Sequence, residues 1–247
     1  MDEKIGLFWL RDDFRITKND GLMEATKNHD QVVVFYLHKP DTFKHQEAQK
    51  WWLSKSLTNF RRKLNSLNIN LEIVNTNSFK FFFDDLLKKK NFNIYWNKVY
   101  EPDYLKFDEY LSTNLNKKNI YFKRFKGNAL NEINEIKKGD GTPFKVFTPF
   151  WRTAEKFYIE KIPPREKTIK KCKKKIAYFK NCIEPEKILP KKKWFKNFEK
   201  LWSPDEESAS KELKNFIKDR VYNYSEARNF PNRIGTSKLS PFIKFGQ

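Results

Sequence analysis

Val32-Val33-Val34-Phe35-Tyr36-Leu37 is followed by Leu53, Leu57, Phe60, Leu64 and Leu67, spaced by three or four residues, and then by Leu71-Glu72-Ile73-Val74. The first and last runs are short, rich in β-branched and aromatic residues, and not strictly alternating, as expected of strands covered on both faces. The middle stretch keeps its leucines on one side and its Lys and Arg on the other, the mark of an amphipathic helix. A strand, a helix and a second two-sided strand in succession predict parallel pairing with the helix packed across the sheet.

The same unit extends in both directions. Ile5 to Leu10 reads as a strand before it, and Ile94 to Tyr100 and Ile120 to Phe125 as strands after it. A further helix is expected after Ser78, a suitable N-cap, running through Phe81, Phe82 and Leu86. Residues 1–130 therefore predict an α/β domain, a doubly wound five-stranded parallel sheet.

Beyond that domain the pattern changes twice. Prolines 143, 149, 163, 164, 185 and 190 and the Lys170-Lys171 and Lys173-Lys174-Lys175 clusters break up residues 131–202. A loop of that length is improbable inside a compact domain, so the stretch reads as a long, ordered connector. Residues 203–247 then read as the beginning of an all-α unit. Ser203 caps, Pro204 suits the first helical position and Glu206 completes a capping box. Ala209, Leu213, Phe216, Ile217, Val221 and Tyr224 follow as an apolar face. A second helix is expected from Thr236-Ser237 to Gln247, with nothing after it to pack against, so the chain is expected to stop partway through that unit.

Composition narrows the function. Hydrophobic residues at 38% and aromatics at 17% are enough for a core, which excludes a wholly disordered chain. Lys plus Arg number 51 against 31 Asp plus Glu, a net charge of +20 that attracts polyanions such as nucleic acid. Part of the excess belongs to a general abundance of Lys, Asn, Ile and Phe, the residues of AT-rich codons. Cys172 and Cys182 have no metal-type spacing and suit a reduced, intracellular protein. Met1-Asp2-Glu3-Lys4 leads straight into a strand without a signal peptide, and no apolar run is long enough for a bilayer. The expectation is a cytoplasmic, monomeric protein without a membrane segment. His29, His38 and His45 have no evident partners, and no nucleophile–base, paired-carboxylate or metal constellation stands out.

The most informative stretch is Tyr224-Ser225-Glu226-Ala227-Arg228-Asn229-Phe230-Pro231 with Gly235-Thr236-Ser237-Lys238-Leu239-Ser240-Pro241-Phe242-Ile243-Lys244-Phe245-Gly246. Three hydroxyls and a Lys gather at an expected helix start, just after a Gly that permits close approach. Free N–H groups there suit a phosphate. An ordinary Ser/Thr N-cap would account for a bare Thr-Ser-x-x-Ser equally well.

The full string resembles the start of the FAD-binding domain of the DNA photolyase/cryptochrome family, in Tyr224, Arg228, Pro231, Gly235 to Pro241, and Phe245-Gly246. The resemblance continues elsewhere. Trp9-Leu10-Arg11-Asp12-Asp13-Phe14-Arg15, with Asn19 and Leu22, is similar to the family's first-strand signature. Val146-Phe147-Thr148-Pro149-Phe150-Trp151-Arg152 is similar to its interdomain segment, and Trp202 and Pro204 to the opening of its helical domain. The sequence departs from the pattern at Asp12 (usually Arg or Gln), Lys18 (usually Asp) and Asp205 (commonly Gly).

The resemblance implies a flavoprotein that uses light for DNA repair, in which reduced FAD passes an electron to a cyclobutane pyrimidine dimer flipped out of the duplex. It implies that Tyr224, Thr236, Ser237, Lys238, Leu239 and Ser240 contact FAD and that Arg228 contacts DNA. A folate or deazaflavin antenna would lie by Asp103 and Tyr104, which stand where folate-binding members have Asn-Glu; Trp51 and Trp52 read as helix packing instead. A cryptochrome-type blue-light receptor and a stand-alone nucleotide- or chromophore-binding α/β module are the alternatives. The remaining FAD contacts of the family would lie beyond Gln247, so weak or no FAD binding and no repair by this chain alone are expected.

Overall fold

The computed structural model describes residues 4–41, 46–132, 134–159 and 168–247. Met1 to Glu3, His45, Pro163 and Pro164, all used in the sequence reading, lie outside the described residues.

Five strands form one parallel sheet: β1 (Ile5–Leu10), β2 (Val32–His38), β3 (Asn70–Asn75), β4 (Phe92–Asn97) and β5 (Phe122–Phe125), in the order β3-β2-β1-β4-β5. Leu7 lies opposite Val33 on one side and Ile94 on the other. Side chains alternate between faces along each strand, and both faces are buried. Phe8, Leu10, Val32 and Val34 meet helices α1 (Asp20–Asn28) and α2 (Glu47–Ser66). Leu7, Trp9, Val33 and Phe35 meet α3 (Phe79–Leu86) and α4 (Pro102–Lys117). Two helices on each face make the sheet doubly wound, as the alternating pattern predicts.

The boundaries differ in detail. β4 ends at Asn97, short of Tyr100, and Leu67 is the C-cap of α2 rather than part of it. Ser78 caps α3 by accepting from Phe81 N–H at 3.4 Å, as expected. Two helices of this domain were not anticipated. α1 is announced only by its N-cap Asn19, which accepts from Leu22 N–H at 3.2 Å, and α4 by Pro102 in its first turn.

The connector is ordered over its described part and lies along the β3 edge. Cys182 bridges Val74 in antiparallel sense, and Ile183 N–H donates to Ile73 C=O at 2.8 Å. Glu72, buried on β3, accepts from the backbone N–H groups of Tyr178 and Phe179 at 2.8 and 2.6 Å. An edge strand that would otherwise template further pairing is thereby covered. The connector also holds an unanticipated helix, α5 (Phe147–Ile159).

The connector ends in a short helix, α6 (Phe198–Leu201), and the last segment is helical but broken into α7 (Glu206–Asn215), a π-turn (Phe216–Arg220), a 3-10 turn (Val221–Asn223), α8 (Tyr224–Ala227) and α9 (Ser240–Lys244). Two expectations are corrected. Asp205, not Ser203, caps α7, accepting from Ser208 N–H at 2.8 Å. Glu206 does not close a capping box: its carboxylate accepts from the backbone N–H groups of Ile16 and Thr17 at 3.0 and 3.1 Å, tying α7 to the β1–α1 loop. The final helix has five residues, not twelve, and it has a packing partner. Phe242 and Phe245 are buried against Trp52 of α2, with ring centroids 5.0 and 6.4 Å apart. Gln247 accepts from Trp52 Nε1 and donates to Ser56 Oγ, both at 3.0 Å. Among the described residues no helix is long and apolar enough to cross a membrane.

Candidate functional site

The hydroxyl-bearing loop is fixed at both ends. Gly235 is buried so closely against α8 that a Cβ there would lie 2.5 Å from Ala227 Cβ, which accounts for glycine before the hydroxyl run. Arg220 donates to Thr236 C=O at 3.2 Å. Leu239 packs onto the α2-side core, so of the residues expected to touch a cofactor it is anchored inward. Thr236, Lys238 and Ser240 face solvent and Ser237 is half-buried, accepting from Leu239 N–H at 3.4 Å.

Lys238 has a backbone φ of 54°, a left-handed conformation, and lines a groove of about 560 Å³ with Trp202, Lys211 and Glu212. Three hydroxyls and an ammonium suit the acceptor oxygens of a pyrophosphate. The expected helix N-terminus contributes little here. α9 starts only at Ser240, and Pro241, its second residue, has no N–H to offer. Side chains, rather than a helix dipole, make up the donor set.

Tyr224 and Arg228 lie on one turn, with the guanidinium 5.5 Å from the ring centroid. Arg228 is exposed, and Tyr224 meets Phe216 edge-on at 5.6 Å. Gly235 on Ala227 therefore sets the Tyr224–Arg228 turn beside the Thr236–Ser240 loop.

The second arrangement is a buried polar network at the carboxyl ends of β1 and β4, where the chain reverses its direction of growth across the sheet and α/β proteins place ligands. Arg11 is ion-paired with Asp108 of α4 at 3.0 Å, both side chains almost fully buried, and also donates to Asn97 C=O. Asn97 Nδ2 donates to Asp13 and to Asn19, and its Oδ1 accepts from Gly21 N–H at 3.1 Å. Burial pushes the Asp13 carboxyl above its ordinary value against the pull of Arg15 and Arg11. The motif residues Arg11, Asp13 and Asn19 were legible as a signature; their partners were not, Asp108 because α4 was not read as a helix and Asn97 because the strand pattern of β4 does not mark its last residue as a polar hub.

Asp103 and Tyr104 open α4 beside this network. Asp103 is exposed, whereas Tyr104 is half-buried with Arg11 5.4 Å from its ring centroid. Burial first, and then the Asp12 charge, pushes the Tyr104 phenol up to about 12, so it acts as a neutral hydrogen-bonding group. Trp51 and Trp52 are buried in packing, as expected.

The first-strand motif and the last helix meet directly. Phe14 N–H donates to Phe245 C=O at 3.1 Å, Arg15 to Gly246 C=O at 3.2 Å, and Lys244 pairs with Asp12 at 3.2 Å. Asp12 and Asp205, two departures from the family pattern, thus have structural roles as counter-ion and helix cap.

The chain resembles known proteins along nearly all of its length. The family model for DNA photolyase matches residues 6–168. A deoxyribodipyrimidine photo-lyase of Agrobacterium fabrum is 29% identical over 98% of this chain and 50% of its own length. Cryptochrome-2 of Arabidopsis thaliana is 27% identical over the whole chain and 41% of its own length. A class III photolyase structure from Agrobacterium tumefaciens superposes with a TM-score of 0.85 at 27% identity, covering all of this chain and 51% of that one. The chain spans about half the length of the curated photolyases it matches. It belongs to the DNA photolyase family.

Proposed function

We propose that this chain is the front half of a light-dependent DNA repair enzyme, a deoxyribodipyrimidine photolyase that splits cyclobutane pyrimidine dimers with an electron from reduced FAD. The observation that carries the reading is the loop Thr236–Ser240, held on α8 by Gly235 and on the α/β domain through Phe242 and Phe245, with its hydroxyls and Lys238 on the outer side. In this reading Tyr224, Thr236, Ser237, Lys238, Leu239 and Ser240 line the FAD site, Leu239 from its buried side, and Arg228 contacts the damaged strand. When bound, FAD would supply the photochemistry; the chain's own part is to hold the phosphates and place the ring system. The net charge of +20 supports a sequence-independent hold on DNA phosphates.

The division into 1–130, 131–202 and 203–247 belongs to the same proposal. Residues 203–247 would open a helical FAD-binding unit, and the exposure of Ile217, Tyr222, Ile234 and Ile243 supports further helices covering them. An antenna, folate or deazaflavin, would lie by Asp103 and Tyr104. The whole would work in the cytoplasm as a monomer. Because the Arabidopsis cryptochrome matches the chain from end to end, a blue-light receptor is the second reading. It would need FAD but not lesion binding.

Titrating FAD into the chain while following flavin fluorescence tests the loop. Weak association is expected, falling about tenfold further in Lys238→Glu; equal association by parent and variant would overturn the assignment. Irradiated DNA exposed to the chain and blue light should keep its dimers. Loss of dimers would refute the half-enzyme reading, and equal retention of damaged and undamaged DNA by a FAD-binding chain would favour the receptor.

A further inference from the structure

At the carboxyl end of β2 lies a cavity of about 570 Å³ that shares no residue with the flavin loop, the Arg11 network or the Asp103–Tyr104 pair. His38, the last residue of β2, forms one wall, Glu47 and Lys50 in the first turn of α2 another, and the connector after Pro185 closes the third side. Ile188 and Leu189 give it an apolar floor, while Lys187, Lys191 and Lys192 ring the mouth.

The charges are unbalanced. Lys50 is paired with Glu47 at 2.7 Å, so the one carboxylate that lines the cavity among the described residues is already engaged. Among the described residues, Lys187, Lys191 and Lys192 pair with no carboxylate, and all three are exposed. Three like charges around one opening repel one another unless an anion sits between them, and Lys is a compact phosphate partner.

Two further features point to a ring beside that anion. Trp194 lines the cavity with 43% of its surface exposed, held by perpendicular contacts to Phe198 at 5.0 Å and Phe195 at 6.1 Å between centroids. Contacts of that kind fix a ring in orientation while a large part of it stays free for stacking. Among the described residues, the buried His38 Nδ1 has no hydrogen-bond partner, and it lies in a wall of the same cavity. A buried polar atom without a partner is costly, and a ligand group within reach would relieve it. The volume is in the range of ordinary small-molecule sites.

We propose that this cavity binds a phosphorylated heteroaromatic ring of the mononucleotide class, its phosphate between Lys187, Lys191 and Lys192, its ring on Trp194, and a ring or ribose polar group on His38 Nδ1. The ligand is either a free nucleotide or one nucleotide of a single strand, since both present the same phosphate and ring. The site goes beyond the flavin reading and stands whether or not that reading holds.

Calorimetric titration of the chain with AMP, ribose 5-phosphate, inorganic phosphate and a short single-stranded oligonucleotide tests it. AMP should bind saturably, at least about tenfold tighter than ribose 5-phosphate. K191E/K192E should weaken AMP by about tenfold or more, and Trp194→Ala should bring AMP down to the level of ribose 5-phosphate. These positions are exposed, and an unchanged thermal midpoint in each variant confirms that the fold is intact. An oligonucleotide that binds with AMP, and competes with it, marks the strand as the source; AMP binding without competition marks the free nucleotide. No saturable AMP binding, AMP binding indifferent to both variants, or oligonucleotide binding insensitive to Trp194→Ala would each overturn the site.

Discussion

Gly246 lies so close to Asp12 that a Cβ on the glycine would fall 2.2 Å from the Asp12 carbonyl oxygen. The glycine also has φ +62°, a conformation that L side chains rarely adopt. Around this contact Phe14 N–H reaches Phe245 C=O, and Lys244 reaches both Asp12 and Glu101. Two segments more than two hundred residues apart in sequence thus form one joint, which sets α9, and with it the hydroxyl loop, against the sheet.

Gly246→Ala should open that joint. The added methyl meets backbone, which cannot swing aside as a flexible side chain would, and the left-handed φ adds strain. A loss of about 1–3 kcal/mol is expected, or a midpoint several degrees lower for a chain of this size, read by circular dichroism on heating. An unchanged midpoint would mean that α9 does not dock as described.

The Arg11–Asp108 pair should prove far more sensitive than any surface pair. Both side chains are at most 3% exposed, and the buried Arg11 guanidinium would lose its directly paired carboxylate in Asp108→Ala. The expected cost is about 3–5 kcal/mol. Arg233–Glu226, with both side chains more than half exposed, should cost less than about 1 kcal/mol in Glu226→Ala. Urea midpoints measured side by side decide it; equal costs would place Arg11 in contact with water.

The contrast between these two joints shows what the sequence could reveal. Periodicity read the sheet well, because Val32 to Leu37, apart from the half-buried Tyr36, and Leu53, Leu57, Phe60 and Leu64 are buried as their spacing announces. α1 and α4 escaped because polar residues interrupt their apolar positions, among them Asp108 of the Arg11 network in α4, so a helix search finds no continuous stripe. Glu206 matched a local capping pattern, yet its partners, Ile16 and Thr17, lie nearly two hundred residues away. Local rules cannot anticipate such a competitor. For the same reason the last helix read as unpartnered: Phe242 and Phe245 find Trp52, and no short window holds all three.

His38 should impart a pH dependence to stability. Burial first, and then the Lys50 charge, holds its imidazole below the ordinary value of 6.5; Glu47 lines the same cavity. The folded state therefore binds fewer protons than the unfolded chain just below pH 6.5, so stability rises with pH through that window and falls as the solution is acidified. His38→Gln should flatten that part of the profile and leave the region above neutrality unchanged. Urea midpoints taken from mildly acidic to neutral pH would show it, and identical slopes in parent and variant would remove His38 as the cause.

Cys182 should be a poor nucleophile despite being exposed. Desolvation in the connector, followed by the Glu72 carboxylate, pushes its thiol from an ordinary 9.0 up to about 11. The sulfur lies 4.0 Å from a Glu72 oxygen and 3.6 Å from Phe179 C=O, acceptors that suit a thiol and repel a thiolate. Near neutral pH its thiolate population, and so its reaction with a disulfide reagent, should be about a hundredfold below that of an unperturbed cysteine. The same acceptors hold the connector on β3, since Glu72 also takes the N–H groups of Tyr178 and Phe179. Reactivity therefore reports whether the connector is seated. In the folded chain the rate should still be climbing as pH passes 9, whereas in denaturant it should level off near there. A folded chain that levels off at the same pH as the denatured one would show Cys182 free of Glu72 and the β3 edge open.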